Sequence, residues 1–410
     1  MSIQVIYFQP EYVEKFKCDG NFCNSRCCKG WRIEIDNDTF KRYAEIESDD
    51  KEISSHIKFS DNRNVYFVKL EKDGRCPFLN DENLCSIQKK YGEKFLSAVC
   101  QTYPRNVYLV DNFFERSLTL TCPLAAELAL LQDDPIKFHT FKETVPDDKP
   151  PRVISFELPP PEIFSRLLTI QITAIHILQE RTLKIDQRLA MLGIFLESLE
   201  EFIQCEKYNQ IDDLLKKFNS KSFIYEIVQS IWFDLKFNPE RFIKVVLNSF
   251  MEILYTNDEF KTFDGEIFNS FKKNFNLNLN EDENILNEMV LKKFVAVEKL
   301  CDEFVQRFET IFENYLVNEF FMWMYPWRLP QSMTHNFGVF IASYKLVELF
   351  TFVNSLVVPN ADKKEIVKFI SYFSTKIDHN SNYIKKISDA LQDITNSSEI
   401  ILTFLRTGNI

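Results

Sequence analysis

Residues 18–35 read CDGNFCNSRCCKGWRIEI, and the chain's other cysteines must be read against them. Four of these 18 positions are cysteine, at Cys18, Cys23, Cys27 and Cys28. Cys76, Cys85, Cys100 and Cys122 follow, and only Cys205 and Cys301 lie further on. The first third is therefore a cysteine-bearing unit. Trp31, Ile33 and Ile35 alternate with Arg32 and Glu34, which suits a short strand. Val65, Phe67 and Val107 to Val110 have similar composition, and Leu84–Ser97 and Pro123–Gln132 read as helices.

Downstream the text changes. Pro146, Pro150, Pro151, Pro159, Pro160 and Pro161 crowd together, and proline blocks helix continuation and stiffens an extended path. We place a linker at 146–160, between a domain at 1–145 and another at 161–410. Beyond it Ile163, Leu167, Ile170, Ile172, Ile175 and Leu178 recur at helical spacing, as do Leu189, Leu192, Phe195, Leu196, Leu199 and Phe202. Further helices are expected near 208–218, 222–234, 239–256, 283–320, 336–355, 361–376 and 381–406. The expected fold class is mainly α: a cysteine-rich N-terminal metal or cluster domain with a few short strands, then an all-helical C-terminal domain.

Composition excludes several function classes. The eight glycines stand singly, so no loop can bring consecutive backbone N–H groups onto a phosphate, and an ordinary Rossmann-like transferase or dehydrogenase is disfavoured. A net charge of −11 argues against nucleic acid as a partner. No run of about 18 uncharged apolar residues and no signal peptide is evident, so neither a membrane nor export is expected, and the location is expected to be cytoplasmic. The five histidines are scattered without ligand spacing, and His176 falls in an apolar helical run where a core role is expected. The aromatic group Tyr315, Phe320, Phe321, Trp323, Tyr325 and Trp327 is dense enough to suggest a groove wall for a peptide.

Three chemistries suit the cysteines: disulfides, structural zinc and an iron–sulfur cluster. Disulfides fit an exported small domain, and neither export nor a small domain is expected here. Zinc and iron–sulfur clusters both take four thiolates and tolerate varied spacings. The long gap between Cys28 and Cys76 means that a closed site would tie distant stretches together, coupling metal binding to folding.

The series Cys18, Cys23, Cys27-Cys28-Lys29-Gly30-Trp31-Arg32-Ile33-Glu34-Ile35, Cys76-Pro77-Phe78-Leu79, Leu84-Cys85-Ser86-Ile87-Gln88, Cys100-Gln101-Thr102-Tyr103-Pro104-Arg105 and Ser117-Leu118-Thr119-Leu120-Thr121-Cys122-Pro123 resembles flagellin lysine N-methylases. A broader zinc- or iron-chelating family shares only the cysteine pair, Cys-Pro-Phe-Leu and Cys…Tyr-Pro parts. The helical remainder is similar in length and style, with Glu313-Asn314-Tyr315-Leu316-Val317-Asn318 as its landmark. The resemblance implies methyl transfer from S-adenosylmethionine to lysines of flagellin, with a [4Fe–4S] cluster. It implies Cys18, Cys23, Cys27, Cys28, Cys76, Cys85, Cys100 and Cys122 as the pool of metal ligands. Glu115, Tyr103 and Glu34 flank the matched cysteines and are the candidates for taking the lysine proton. Arg105 is the candidate clamp for the carboxylate of S-adenosylmethionine, and Trp31 could stack on its adenine. The C-x3-C-x2-C signature of radical S-adenosylmethionine enzymes is absent, because Cys28 directly follows Cys27. The rival readings are a zinc-stapled, non-catalytic interaction module and a cluster that only transfers electrons.

Overall fold

The computed structural model describes residues 2–18, 26–46, 52–61, 64–110, 113–146, 153–154, 159–231, 237–246, 283–356, 358, 360–378, 381–394 and 396–405. Cys23, His379, most of the proline-rich stretch and the second half of the helix expected at 239–256 lie outside the described residues. Contacts divide the chain into two units, Met1–Leu128 with Phe138–Ile154, and Ala129–Lys137 with Ser155–Ile410.

The first unit holds two small sheets. One has the order β5-β6-β1-β7, from β1 (Ser2–Pro10), β5 (Arg105–Val110), β6 (Phe113–Leu118) and β7 (Phe138–Pro146). Here β1 runs parallel to β6 and antiparallel to β7, with Ser2 opposite Pro146 and Pro10 opposite Phe138. The other sheet has the order β2-β4-β3, from β2 (Glu34–Ile35), β3 (Ile57–Ser60) and β4 (Val65–Val68). Short helices connect them: α1 (Asn37–Ile46), α2 (Glu52–Ser55), α3 (Ser86–Tyr91), α4 (Ala98–Thr102) and α5 (Pro123–Leu130), the last spanning the division between the units. The strands at 34–35, 65–68 and 105–110 fall where alternation places them. The nine-residue pair β1 and β7 was not anticipated. In β1 Ile3 and Ile6 stay exposed while Val5 and Tyr7 are buried, so apolar residues occupy both faces and no alternation shows.

Within the described residues of the second unit every regular element is helical: α6 (Leu167–Leu178), α7 (Ile185–Gln204), α8 (Ile211–Phe218), α9 (Lys221–Ile231), α10 (Glu283–Arg307), α11 (Glu309–Met322), α12 (Met333–Ser355), α13 (Lys363–Ile377), α14 (Ser381–Ala390) and α15 (Ser397–Phe404), with short 3-10 turns and a helical stretch at 239–246. The helix expected over 283–320 is broken at Phe308 into α10 and α11. Helices α11 and α12 are buried around their circumference, as a helix inside a bundle is, and their polar residues Glu313, Asn318, Lys345 and Glu348 are buried with the apolar ones. By length and composition α12 could cross a membrane, yet its apolar window is wholly buried here. Gly193 on α7 permits close packing, because a Cβ there would lie 2.4 Å from the Phe337 ring of α12. The carboxylate of Glu200 on α7 accepts from the N–H groups of Met333 and Thr334, satisfying donors at the start of α12.

Two expectations fail in this unit. Tyr315, Phe320, Phe321, Tyr325 and Trp327 are buried and only Trp323 is partly exposed, so the aromatic group is core and not a groove wall. His176 is exposed on α6, its Nδ1 2.9 Å from Asn219 Oδ1, and is not a core residue.

Candidate metal centre

The N-terminal unit brings several cysteines into one neighbourhood through short local structures. The turn containing Cys27 and Cys28 pairs with residues 74–76: Cys76 N–H donates to Cys28 O at 2.8 Å and Gly30 N–H to Gly74 O at 3.0 Å. Gly30 and Gly74 both have positive φ, a conformation that glycine adopts without a Cβ clash. Cys76-Pro77-Phe78-Leu79 then folds back on Leu84-Cys85-Ser86. Ser86 N–H donates to Phe78 O at 2.7 Å, and Asn80 Oδ1 accepts from the N–H groups of Glu82 and Leu84 inside the turn. Cys85 directly precedes α3, and Cys100 sits in α4.

Cys28, Cys76, Cys85 and Cys100 thus share one apolar cluster with Ile33, Ile35, Tyr43, Phe78, Ile87 and Leu96. Cys27 Sγ lies 3.8 Å from Cys28 Sγ. Among the described residues no two cysteines of this unit are joined by a disulfide.

Electrostatics report the same convergence. Burial pushes the Cys76 thiol up to about 12, with the thiols of Cys85, Cys100 and Cys27 adding to the rise. Burial pushes Cys100 up to about 11, and Cys85 and Cys27 again add. Cys85 is raised by burial, while the N–H groups of Gln88 and Ile87 pull it back. The Phe78 N–H does the same for Cys76. Cys27 is raised strongly, first by its contact with Cys28 and then by burial. Four thiols from three stretches therefore disfavour one another's ionisation, and a cation placed among them would reverse that preference.

Among the described residues, no three Cys, His, Asp or Glu side chains stand close enough to close a metal site. The fit is therefore one of donor chemistry. The thiols converge without disulfides, and backbone N–H groups face the sulfurs of Cys76 and Cys85, as outer-shell donors do around metal-bound thiolates. That set suits zinc or iron.

The remaining candidates divide. Cys18 is exposed and close enough to Arg105 to act on its charge, Cys122 is buried immediately before α5, and Cys205 and Cys301 lie in the other unit. Trp31 packs on the thiol cluster and donates from Nε1 to Cys27 O at 2.6 Å. Its ring stacks on Tyr103 at 6.2 Å. The Tyr103 hydroxyl is 3.0 Å from Thr121 Oγ1, and burial, then the nearby Cys122, hold its pKa well above the usual phenol range. Arg105 begins β5 with its guanidinium over the Phe16 ring, and burial followed by the like charge of Arg116 lowers its pKa. No carboxylate among the described residues forms an ion pair with it. Glu115 is buried in β6, opposite Tyr108 on β5 and Phe8 on β1. Glu34 lies half-buried on β2 opposite Phe67.

Sequence reasoning missed Tyr43. It is buried against the same cluster, and burial and then the thiols of Cys100, Cys85 and Cys76 push its phenol far up. Its place on the inner face of the amphipathic α1 is the signal that could have found it.

The fold and this donor set define a thiol-rich domain suited to a metal, joined in the chain to an all-helical unit. The profile of the FliB lysine N-methylase C-terminal domain matches residues 171–403, and that of a "Putative zinc- or iron-chelating domain" matches residues 17–123. The chain belongs to the FliB lysine N-methylase family. The Lysine-N-methylases of Salmonella typhimurium and Salmonella choleraesuis are each 35% identical over 127 residues, which is 29% of this chain and 31% of theirs. The Flagellar biosynthetic protein FliU of Salmonella muenchen is 35% identical over 127 residues, 74% of its own length. No solved structure matches the chain.

Proposed function

We propose that this protein is a protein-lysine N-methyltransferase that moves a methyl group from S-adenosylmethionine to lysines of flagellin, acting in the cytoplasm with an iron–sulfur cluster on the N-terminal unit. The observation that carries the reading is the convergence of Cys27, Cys76, Cys85 and Cys100 in a chain of this family. The helical unit's family match and the relatives' names support the reaction class.

When bound, such a cluster would supply an iron able to chelate the amino and carboxylate groups of S-adenosylmethionine. This chain's residues supply the rest. Cys27, Cys76, Cys85 and Cys100 would hold the group, with Cys28 beside Cys27. Arg105, half-buried and without an ion-pair partner among the described residues, suits a carboxylate through its two-pronged guanidinium. Trp31 and Tyr103 form a stacked pair beside Cys27, an apolar wall that keeps water from the thiols.

Transfer requires a neutral lysine amine, whose reference pKa is about 10.4. The amine lone pair forms the new N–CH3 bond as the S–CH3 bond breaks, its electrons staying on sulfur, and the nitrogen proton passes to a base or water. Of the three base candidates, Tyr103 stacks on Trp31 beside Cys27, but its raised pKa keeps it protonated near neutrality. It serves as a hydrogen-bond group. Glu34 is the carboxylate left for the proton, since Glu115 is enclosed in its sheet.

Co-expression with flagellin tests the reading. Mass spectrometry is expected to show increments of one methylene on flagellin lysines, and their loss when Cys85 is replaced by Ser. Unmodified flagellin beside a cluster-loaded protein would refute it.

A further inference from the structure

One carboxylate connects the two short helices that bring Tyr43 and Cys100 to the thiol cluster. Asp36 stands between β2 and α1. Its Oδ1 accepts from Thr39 N–H at 2.9 Å and its Oδ2 from Thr39 Oγ1 at 2.8 Å, which caps the start of α1. The same Oδ2 accepts from Ala98 N–H at 2.8 Å, from a residue 62 positions further along the chain. Ala98 opens α4, and its N–H is one of the donors that a helix start leaves without an internal partner.

With five residues, α4 is far too short to hold itself. Its own N-cap, Ser97, reaches Cys100 N–H at a long 3.4 Å, so the shorter, charge-assisted bond from Asp36 is the firmer hold. Three donors converge on this one side chain. An asparagine in its place has a single acceptor oxygen and would turn an NH2 group toward one of those donors. Arg42 donates to Thr39 Oγ1 at 2.6 Å, which fixes the cap from the far side.

We propose that Asp36 is the positioning residue of the metal centre: its carboxylate orients α4 against the β2–α1 corner and so aims the Cys100 sulfur into the thiol cluster. The inference rests on the reading of the cluster as a metal site. Asp36 itself touches no metal. It acts through Cys100, so its effect vanishes when Cys100 cannot ligate.

The test is anaerobic titration of the reduced, metal-free full chain with Co(II), reading affinity by chelator competition and thiolate ligation by the sulfur-to-cobalt charge-transfer band. Asp36→Asn is expected to weaken Co(II) about 10- to 100-fold, the usual cost of losing an outer-shell partner. It should also lower the charge-transfer intensity to that of Cys100→Ser. In a Cys100→Ser background the same substitution should change affinity less than about threefold, since residues acting as one unit are not additive. Wild-type affinity in Asp36→Asn overturns the proposal, as does an equal loss with and without Cys100, the signature of a general effect on fold or charge. If the wild-type chain takes up no Co(II), the metal reading itself falls, which the response of Asp36→Asn alone could not show.

Discussion

Replacing Glu313 by Ala should destabilise the helical unit severely. The side chains of Glu313 and Arg188 are each about 1% exposed, and they meet at 2.8 Å through Arg188 Nη1. Arg181 adds three contacts of 2.9 to 3.1 Å to the same carboxylate, but its side chain is 35% exposed, so solvent screens its share. Alanine leaves the Arg188 guanidinium buried with Glu309 and the carbonyls of Leu183 and Leu178. Removing one partner of a buried pair costs roughly 3–5 kcal/mol, and the surviving Glu309 contact points to the lower end, about 3 kcal/mol. For a unit of this size 1 kcal/mol shifts Tm by roughly 2–4 °C, so the melting transition should fall by about 6–12 °C. Far-UV circular dichroism and calorimetry read it directly. The paired replacement Arg188→Met with Glu313→Leu should recover most of the loss, because burial without charge removes the desolvation cost. A Glu313→Ala melt within about 2 °C of the wild type would refute the reasoning.

Burial and the neighbouring Asp378 push the Glu319 carboxyl up to about 8, so the folded chain keeps a proton that the unfolded chain releases near its ordinary value of 4.5. Stability of the helical unit should therefore fall as pH rises from about 4.5 to about 8, and Glu319→Gln should flatten that part of a Tm-against-pH curve. An unchanged slope in the variant would assign the effect elsewhere. Gly193→Ala should cost about 1–3 kcal/mol through the clash with Phe337, partly relieved by adding Phe337→Leu, as chemical denaturation would show. Equal destabilisation in the single and double variants would place the strain elsewhere. Cys85→Ser should abolish stoichiometric metal while Cys205→Ser, on an exposed thiol, retains it, and elemental analysis of purified protein distinguishes them. Equal metal content in both would remove Cys85 from the ligand set.

The helical unit was legible because its apolar spacing is long and repetitive, from Ile163 to Leu178 and again from Leu189 to Phe202. The break at Phe308 was not, since periodicity runs through it unchanged. The thiol cluster was legible as a set of cysteines but not as a selection among them. Spacing alone gave Cys18 and Cys122 the same weight as Cys76, and only the turn from Cys76 to Ser86 and the pairing of Cys28 with Cys76 distinguish them. Asp36 was invisible because its importance comes from a contact across the chain, with Ala98, whereas the amphipathic pattern of α1 marks Tyr43 as inward-facing but not the three cysteines it meets. The aromatic run at 315–327 misled for the opposite reason. Its composition suits an interface, but α11 is buried all round and the rings fill the core.

The most direct measurement is the iron, acid-labile sulfide and zinc content of the full chain purified without oxygen, together with its visible absorption. The account predicts a coloured protein with stoichiometric iron and sulfide, lost together in Cys76→Ser or Cys100→Ser. Folded, colourless protein containing neither iron nor sulfide would contradict it, whether its thiols hold zinc or nothing.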